Sequence, residues 1–174
     1  MSGKPDTGAG KLSAQTDTSR GCEFIRFLPM KIVLQRCLSA RVEVEGRVVG
    51  QIERGFAVFV GIAREDSAAQ IAAAARKIAN LRIFSDEDGK FNLALRDVSG
   101  KVLLISNFTL CGDARKGNRP SFMAAALPDK ASETFDLLAT LLREQGIETR
   151  SGIFGADMRV MVENDGPVTL ILDF

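Results

Sequence analysis

Residues 163–169 read ENDGPVT, and they interrupt what otherwise looks like a pair of strands. MRVMV (Met158 to Val162) precedes them and LILDF (Leu170 to Phe174) follows, both rich in strand formers. Asp165-Gly166 between two such runs predicts a hairpin turn. Pro167 argues against one, because it cannot donate to a ladder and should not sit where a strand resumes. Two readings stay open at this point: an ordinary turn, or a loop held in an unusual backbone shape for a purpose.

The rest of the chain supplies the partners. Three strands are expected at the C-terminal end, over about 148–153, 157–163 and 168–173. MKIVLQR, from Met30, reads as the first strand, and RVEVEGRVVGQIE (Arg41 to Glu53) as a hairpin about Glu45-Gly46. FAVFVGI (Phe56 to Ile62) is a continuous apolar run suited to a strand buried on both faces. LRIF and KVLLISNFTL (Lys101 to Leu110) are further strands, separated by the turn SDEDGK. Ile71, Ala74, Ile78 and Leu81 recur at helical spacing behind a cap at Asp66 or Ser67. A second helix starts at Pro128-Asp129, carries Phe135, Leu138, Leu141 and Leu142 on one face, and stops at Gly146. Strands alternating with two helices and ending in a meander define a single α/β domain with mixed β-sheets. Met30 reads as the natural start of the fold. Residues 1–29 are an N-terminal extension, polar and aperiodic over most of its length, a composition that predicts disorder.

Composition narrows the chemistry. A chain of 174 residues, 45% hydrophobic and 26% charged, suits one soluble domain. The net charge of +1 gives no global field toward nucleic acid or membrane, so any such contact needs a local patch. No apolar run approaches a membrane span. Cys22, Cys37 and Cys111 are far apart and have no metal-type spacing, which reads as reduced thiols in the cytoplasm. The chain contains no histidine. That excludes Ser-His-Asp and Cys-His arrangements and the commonest general base near neutral pH. Any catalysis must use carboxylates, hydroxyls, backbone amides or groups of the substrate. No metal site and no cofactor site is legible.

SNFTLCGDARKGNRPSF (Ser106 to Phe122) is the densest candidate for a site: a strand end followed by a loop of Gly, Arg and Lys. Arg115, Lys116 and Arg119 suit a phosphate backbone, although a solvated basic face is the commoner use of such a run. Thr109 is a candidate nucleophile with no base in evidence, and a structural hydroxyl is the plainer reading. GIFGADMRV (Gly152 to Val160) reads as a bulge or tight bend. SDEDGK lacks the full calcium-loop spacing and reads as a polar turn. Arg36, placed early in a buried strand, is either at a surface edge or tied to carbonyl oxygens.

Together MKIVLQR, ARKIANLRIFSDEDGKFNLALRDVSG, SNFTL, ARKGNRPSF, GIFGADM and NDGPVT, in this order and spacing, resemble the D-aminoacyl-tRNA deacylase family. The resemblance covers Met30 to Phe174, nearly the whole chain, and the paired signatures at 106–110 and 164–169 are specific. It implies a three-layer α/β/β fold with the two helices on one side, in a homodimer. It implies hydrolysis of the ester joining a D-amino acid, or mischarged glycine, to the 3′ end of tRNA, a proofreading step of translation quality control in the cytoplasm. Ser106, Asn107, Phe108 and Thr109 would form the catalytic site. Gly166 and Pro167 would form a Gly-cis-Pro chirality filter reaching across subunits, oriented by Arg36. Arg115, Lys116 and Arg119 are the tRNA contact candidates. The resemblance implies no cofactor, metal or membrane. One departure stands out: the family's usual Ser-Gln before Phe-Thr-Leu is Ser106-Asn107 here, one methylene shorter. Two rivals remain, a non-catalytic tRNA- or RNA-binding module with this fold, and a general esterase using Thr109.

Overall fold

The computed structural model describes residues 29–115 and 117–174, so all of the N-terminal extension except Pro29, and Lys116, lie outside the described residues. The chain runs β1 (Lys31–Val44), β2 (Arg47–Ile52), β3 (Gly55–Gly61), α1 (Ala68–Asn80), β4 (Phe84–Ser85), β5 (Phe91–Leu93), β6 (Lys101–Ser106), α2 (Pro128–Glu144), β7 (Thr149–Ser151) and β8 (Arg159–Asp173). The hairpin at Glu45-Gly46 forms as its sequence dictates, with φ of 51° and 77° at the two turn residues.

β1 organises the sheet because it is long enough to serve several partners. Its first half pairs antiparallel with β3 and its second half with β2, while β8 runs antiparallel along nearly all of it. β3, β6 and β7 then add in parallel, giving the order β2-β1-β3-β6-β7 with β8 on β1. β2 curls back over β7, so closely that a Cβ on Gly50 would lie 2.6 Å from the Ser151 carbonyl oxygen. The mixed sheet is therefore nearly closed.

Both faces of β3 and β6 are buried, and each face feeds its own core. Phe56, Val58, Val102 and Leu104 pack under Ile71 and Ile78 of α1 and Phe135 and Leu138 of α2. The alternate residues Ala57, Leu103 and Ile105 meet Val42 and Ile52 from the curled part of the sheet. Helices, central strands and curled strands make three layers. A fully buried side chain of this size contributes roughly 1.5–3 kcal/mol, which is why both faces must be apolar.

Three expectations are corrected. ENDGPVT is not a hairpin: the two last strands are one, β8, held straight against β1. Cys37 faces Asn164 and Gln35 faces Thr169, so two steps along β1 are matched by five along β8. The surplus is odd, and a slip of odd length exchanges the faces of a strand. Met158, Val160 and Val162 accordingly pack on the second core, and Val168, Leu170 and Leu172 on the first. LRIF yields only the two-residue β4, paired with β5, because the Ile83 carbonyl is taken by the Arg36 guanidinium at 2.6 Å. β6 stops at Ser106 rather than Leu110, and Phe108–Cys111 forms a 3-10 turn folded back over Gly61.

Ser67, rather than Asp66, caps α1, in a reciprocal capping box with Gln70. Asp66 is buried and accepts the Met30 and Ala63 amides at 3.0 and 2.6 Å. Burial pushes its carboxyl above the ordinary range, while those two amides pull it back. The carboxylate thus fixes the start of β1 to the turn after β3. Asp66→Ala orphans two buried donors, at about 1–3 kcal/mol each, so a loss of roughly 2–4 kcal/mol is expected in urea unfolding. A variant within about 0.5 kcal/mol of the parent would show that water replaces the carboxylate.

Candidate active site

Parallel β3 and β6 end together, with Val60 opposite Ser106, and the Asn107 amide makes a last bond to the Val60 carbonyl at 2.8 Å. Beyond that point the chain has no ladder to follow and winds into the turn at Phe108–Cys111. A pocket of about 730 Å³ opens here, at the carboxyl ends of the parallel strands, the usual place for a site in such a sheet. Ser106, Asn107 and Phe108 form its polar side, Phe122 its lip, and Phe154 and Met158 its far wall.

The polar side is mostly main chain. The N–H groups of Phe108 and Thr109 open the 3-10 turn, where no preceding carbonyl is in register, and neither has a hydrogen-bond partner among the described residues. Phe108 is 59% exposed and meets the edge of Phe122 at 5.2 Å, so ring contact holds the start of the turn and the buried Cys111 its end. The Thr109 hydroxyl donates to Asn107 Oδ1 at 2.5 Å. That bond orients the Asn107 carboxamide; Thr109 itself does not line the pocket, and its hydroxyl is hydrogen-bonded to no base among the described residues.

Gly166 and Pro167 lie elsewhere. Neither lines the pocket. They form the crest of the insertion in β8, with a cis Gly166–Pro167 peptide and φ of 134° at Gly166, and both are exposed. Beneath them Arg36 is 7% exposed. Its Nε lies 2.9 Å from Asp165 Oδ2 and 3.3 Å from the Asp165 carbonyl, and its guanidinium sits 5.2 Å from the centre of the Phe91 ring. Of the two readings of Arg36, the tie to carbonyl oxygens holds. Asn164 closes the base of the loop, donating to the Arg36 and Val168 carbonyls and accepting the Val168 amide, each at 3.2 Å.

Arg115 and Arg119 do not line the pocket either. Arg115 is committed to Asp113, through Nε at 2.9 Å and Nη2 at 2.6 Å, and that carboxylate raises its pKa further. The Asp-x-Arg spacing contained this signal. Sequence reading also passed over Arg64, Asn164 and the aromatic walls, although GIFGADM, read as a bend, supplies Phe154 and Met158. Cys37 and Cys111 are free and buried, and burial pushes both thiols up to about 11. No group of acidic or sulfur side chains among the described residues is placed to hold a metal ion, and none of their helices is long and apolar enough to cross a membrane.

Fold and site define a class: mixed α/β proteins whose pocket, at the ends of parallel strands, offers main-chain donors and no histidine. Residues 33–173 match the family model described as D-Tyr-tRNA(Tyr) deacylase. The D-aminoacyl-tRNA deacylase of Thermus aquaticus is 54% identical over 144 residues, covering 83% of this chain and 95% of that protein. That of Clostridium perfringens strain SM101 is 51% identical, covering 83% and 97%. Among solved structures, the c-Myc DNA Unwinding Element Binding Protein superposes with a TM-score of 0.78 at 37% identity, covering 83% of this chain and 98% of that one. A probable eukaryotic D-amino acid tRNA deacylase has a TM-score of 0.72 at 18% identity, covering 84% of this chain and 100% of that one, a likeness of fold. The chain belongs to the D-aminoacyl-tRNA deacylase family.

Proposed function

We propose that this protein hydrolyses the ester of D-aminoacyl-tRNA, and of mischarged glycyl-tRNA, as a cytoplasmic proofreading enzyme acting as a homodimer. The observation that carries the reading is the unpartnered pair of amides at Phe108 and Thr109, in a turn whose leading residues Asn107 and Phe108 line a mostly apolar pocket. An aminoacyl ester is already activated, and two fixed N–H donors aimed at the developing oxyanion supply roughly 10² to 10³ in rate each. The substrate's terminal 2′-OH then assists the attacking water, a role that the chain's missing histidine leaves open. Ser106 and Asn107 position the ester beside these donors.

The filter comes from a second subunit. In one subunit Gly166 and Pro167 are exposed and outside the pocket lining, so a chirality filter made of their main chain calls for a partner's loop. Main-chain atoms reject an L side chain by sterics whatever its identity, and each tenfold of preference corresponds to ~1.4 kcal/mol. Arg119 and Lys116 contact the tRNA backbone, while Arg115, neutralised by Asp113, contributes less.

The test is release of amino acid from matched D- and L-aminoacyl-tRNA, repeated on tRNA ending in 2′-deoxyadenosine. Hydrolysis of the D ester alone, lost with the 2′-OH, is the expected result. Binding of tRNA with cleavage of neither ester would replace the enzyme by an RNA-binding module. Thr109→Ala is expected to lose less than about tenfold in kcat, since it removes an orienting bond and no nucleophile. Abolished activity in a folded, tRNA-binding Thr109→Ala protein would make Thr109 the nucleophile.

A further inference from the structure

Arg64 is the one charged residue lining the pocket among the described residues. It follows β3 on a main chain pinned from several sides. Its amide donates to the Ala124 carbonyl at 2.9 Å, its carbonyl accepts Lys130 Nζ at 2.5 Å, and the preceding Ala63 amide is held by Asp66 at 2.6 Å. The side chain itself is spent on nothing: its guanidinium has no ion pair and no hydrogen bond among the described residues. Arg115, by contrast, is fully engaged by Asp113. An exposed cation on a fixed stem, at the rim of an apolar pocket, is arranged to meet an anion from solvent.

The substrate class offers one kind of anion. A pocket of about 730 Å³ has room for an aminoacylated nucleoside but not for a run of RNA strand. Base, ribose and ester are neutral, and the amino group is cationic, so Arg64 repels that end of the substrate and favours its placement toward Ser106. The phosphate that leaves the pocket on the 5′ side of the terminal nucleoside is the remaining group, and a guanidinium matches it with two parallel N–H donors.

We propose that Arg64 binds the phosphodiester linking the terminal nucleoside of the RNA to the rest of the strand, and so sets which way round the aminoacyl ester enters. The inference rests on the pocket being the hydrolytic site proposed above. It makes Arg64 a binding residue, used before the chemical step and kept through it.

Two esters separate this role from any other. D-aminoacyl-tRNA carries the phosphate, whereas D-aminoacyl-adenosine with a free 5′-OH lacks it. Arg64→Gln is expected to raise KM for the tRNA ester about tenfold relative to KM for the nucleoside ester, and to reduce the slope of log affinity against log salt by about one. Arg64→Lys, which keeps the charge without the fork, should recover part of the loss. Equal changes on both esters, or an unaltered salt slope, would overturn the assignment. A wild-type protein that cleaves neither ester overturns the functional reading and this inference with it, a result distinct from a cleaved ester whose KM ignores Arg64.

Discussion

Gly166→Ala is expected to lower hydrolysis of D-aminoacyl-tRNA by at least about 10²-fold and to erase most of the preference over the L ester, while the protein still folds. The reason is local geometry. Gly166 has φ of 134°, a backbone conformation closed to ordinary L residues. A Cβ there would lie 2.7 Å from Val168 Cγ2 and 2.9 Å from the Val168 amide nitrogen. That amide is held by Asn164, whose carboxamide also grips the Arg36 carbonyl, so the loop cannot shift to make room without breaking its own base. The crest must move instead, and displacing a positioning group by about 1 Å costs on the order of 10²-fold. The core is met only at its margin, at the partly buried Val168, because Gly166 is exposed and lies between the stretches of β8 that pack on the two cores. Parallel D and L deacylation with a thermal melt decides the matter. A variant with wild-type D rate and wild-type D over L ratio would remove the loop from the mechanism.

The same loop shows what a linear reading sees and what it misses. Both helices, the buried strand β3 and the hairpin at Glu45-Gly46 were legible because their signals are local: period, cap and turn residues. The continuity of β8 was not, because Asp165-Gly166 is a strong local turn signal and the strand that overrides it, β1, lies about 130 positions earlier. A trace of the truth was present in the parity: the core-facing residues are even-numbered on both sides of an insertion that should have exchanged them, and they serve two different cores. Arg36 was readable as a buried guanidinium in need of acceptors, but which carbonyls it takes depends on where Ile83 arrives. Ser106, Asn107 and Phe108, which line the pocket, lie within one quoted segment, whereas Arg64, its charged residue among those described, gave no local signal. Of the pocket's walls, Phe122 closes that same segment, while Phe59 lies on β3 and Phe154 and Met158 come from GIFGADM, stretches that only the fold brings together. Arg115 was misweighed for the opposite reason: a charge counted as available had a carboxylate two residues away.

Arg36→Met is the second large effect, and it falls on stability first. Methionine matches the length of the arginine stem and can stay packed against Phe91, so the change isolates the guanidinium. Its loss leaves the Ile83 carbonyl without its donor at 2.6 Å and the Asp165 carboxylate without its partner at 2.9 Å. Removing one member of a fully buried ion pair costs about 3–5 kcal/mol, but the Asp165 side chain is 31% exposed and water recovers part of the interaction. A loss of roughly 2–4 kcal/mol follows, or a Tm lower by about 5–15 °C. Arg36→Lys should rescue little, because one ammonium cannot span Ile83 on β4's approach and Asp165 on β8 at the same time. Activity measured well below the melt gives the second readout. With the Arg36 guanidinium gone, the Asp165–Val168 insertion keeps Asn164 as a tie to β1, and D-ester hydrolysis should fall further than the folded fraction does. If Arg36→Met melts within about 2 °C of the parent and retains both rate and chirality, the loop is held by its backbone alone, and the buried arginine has no part in the filter.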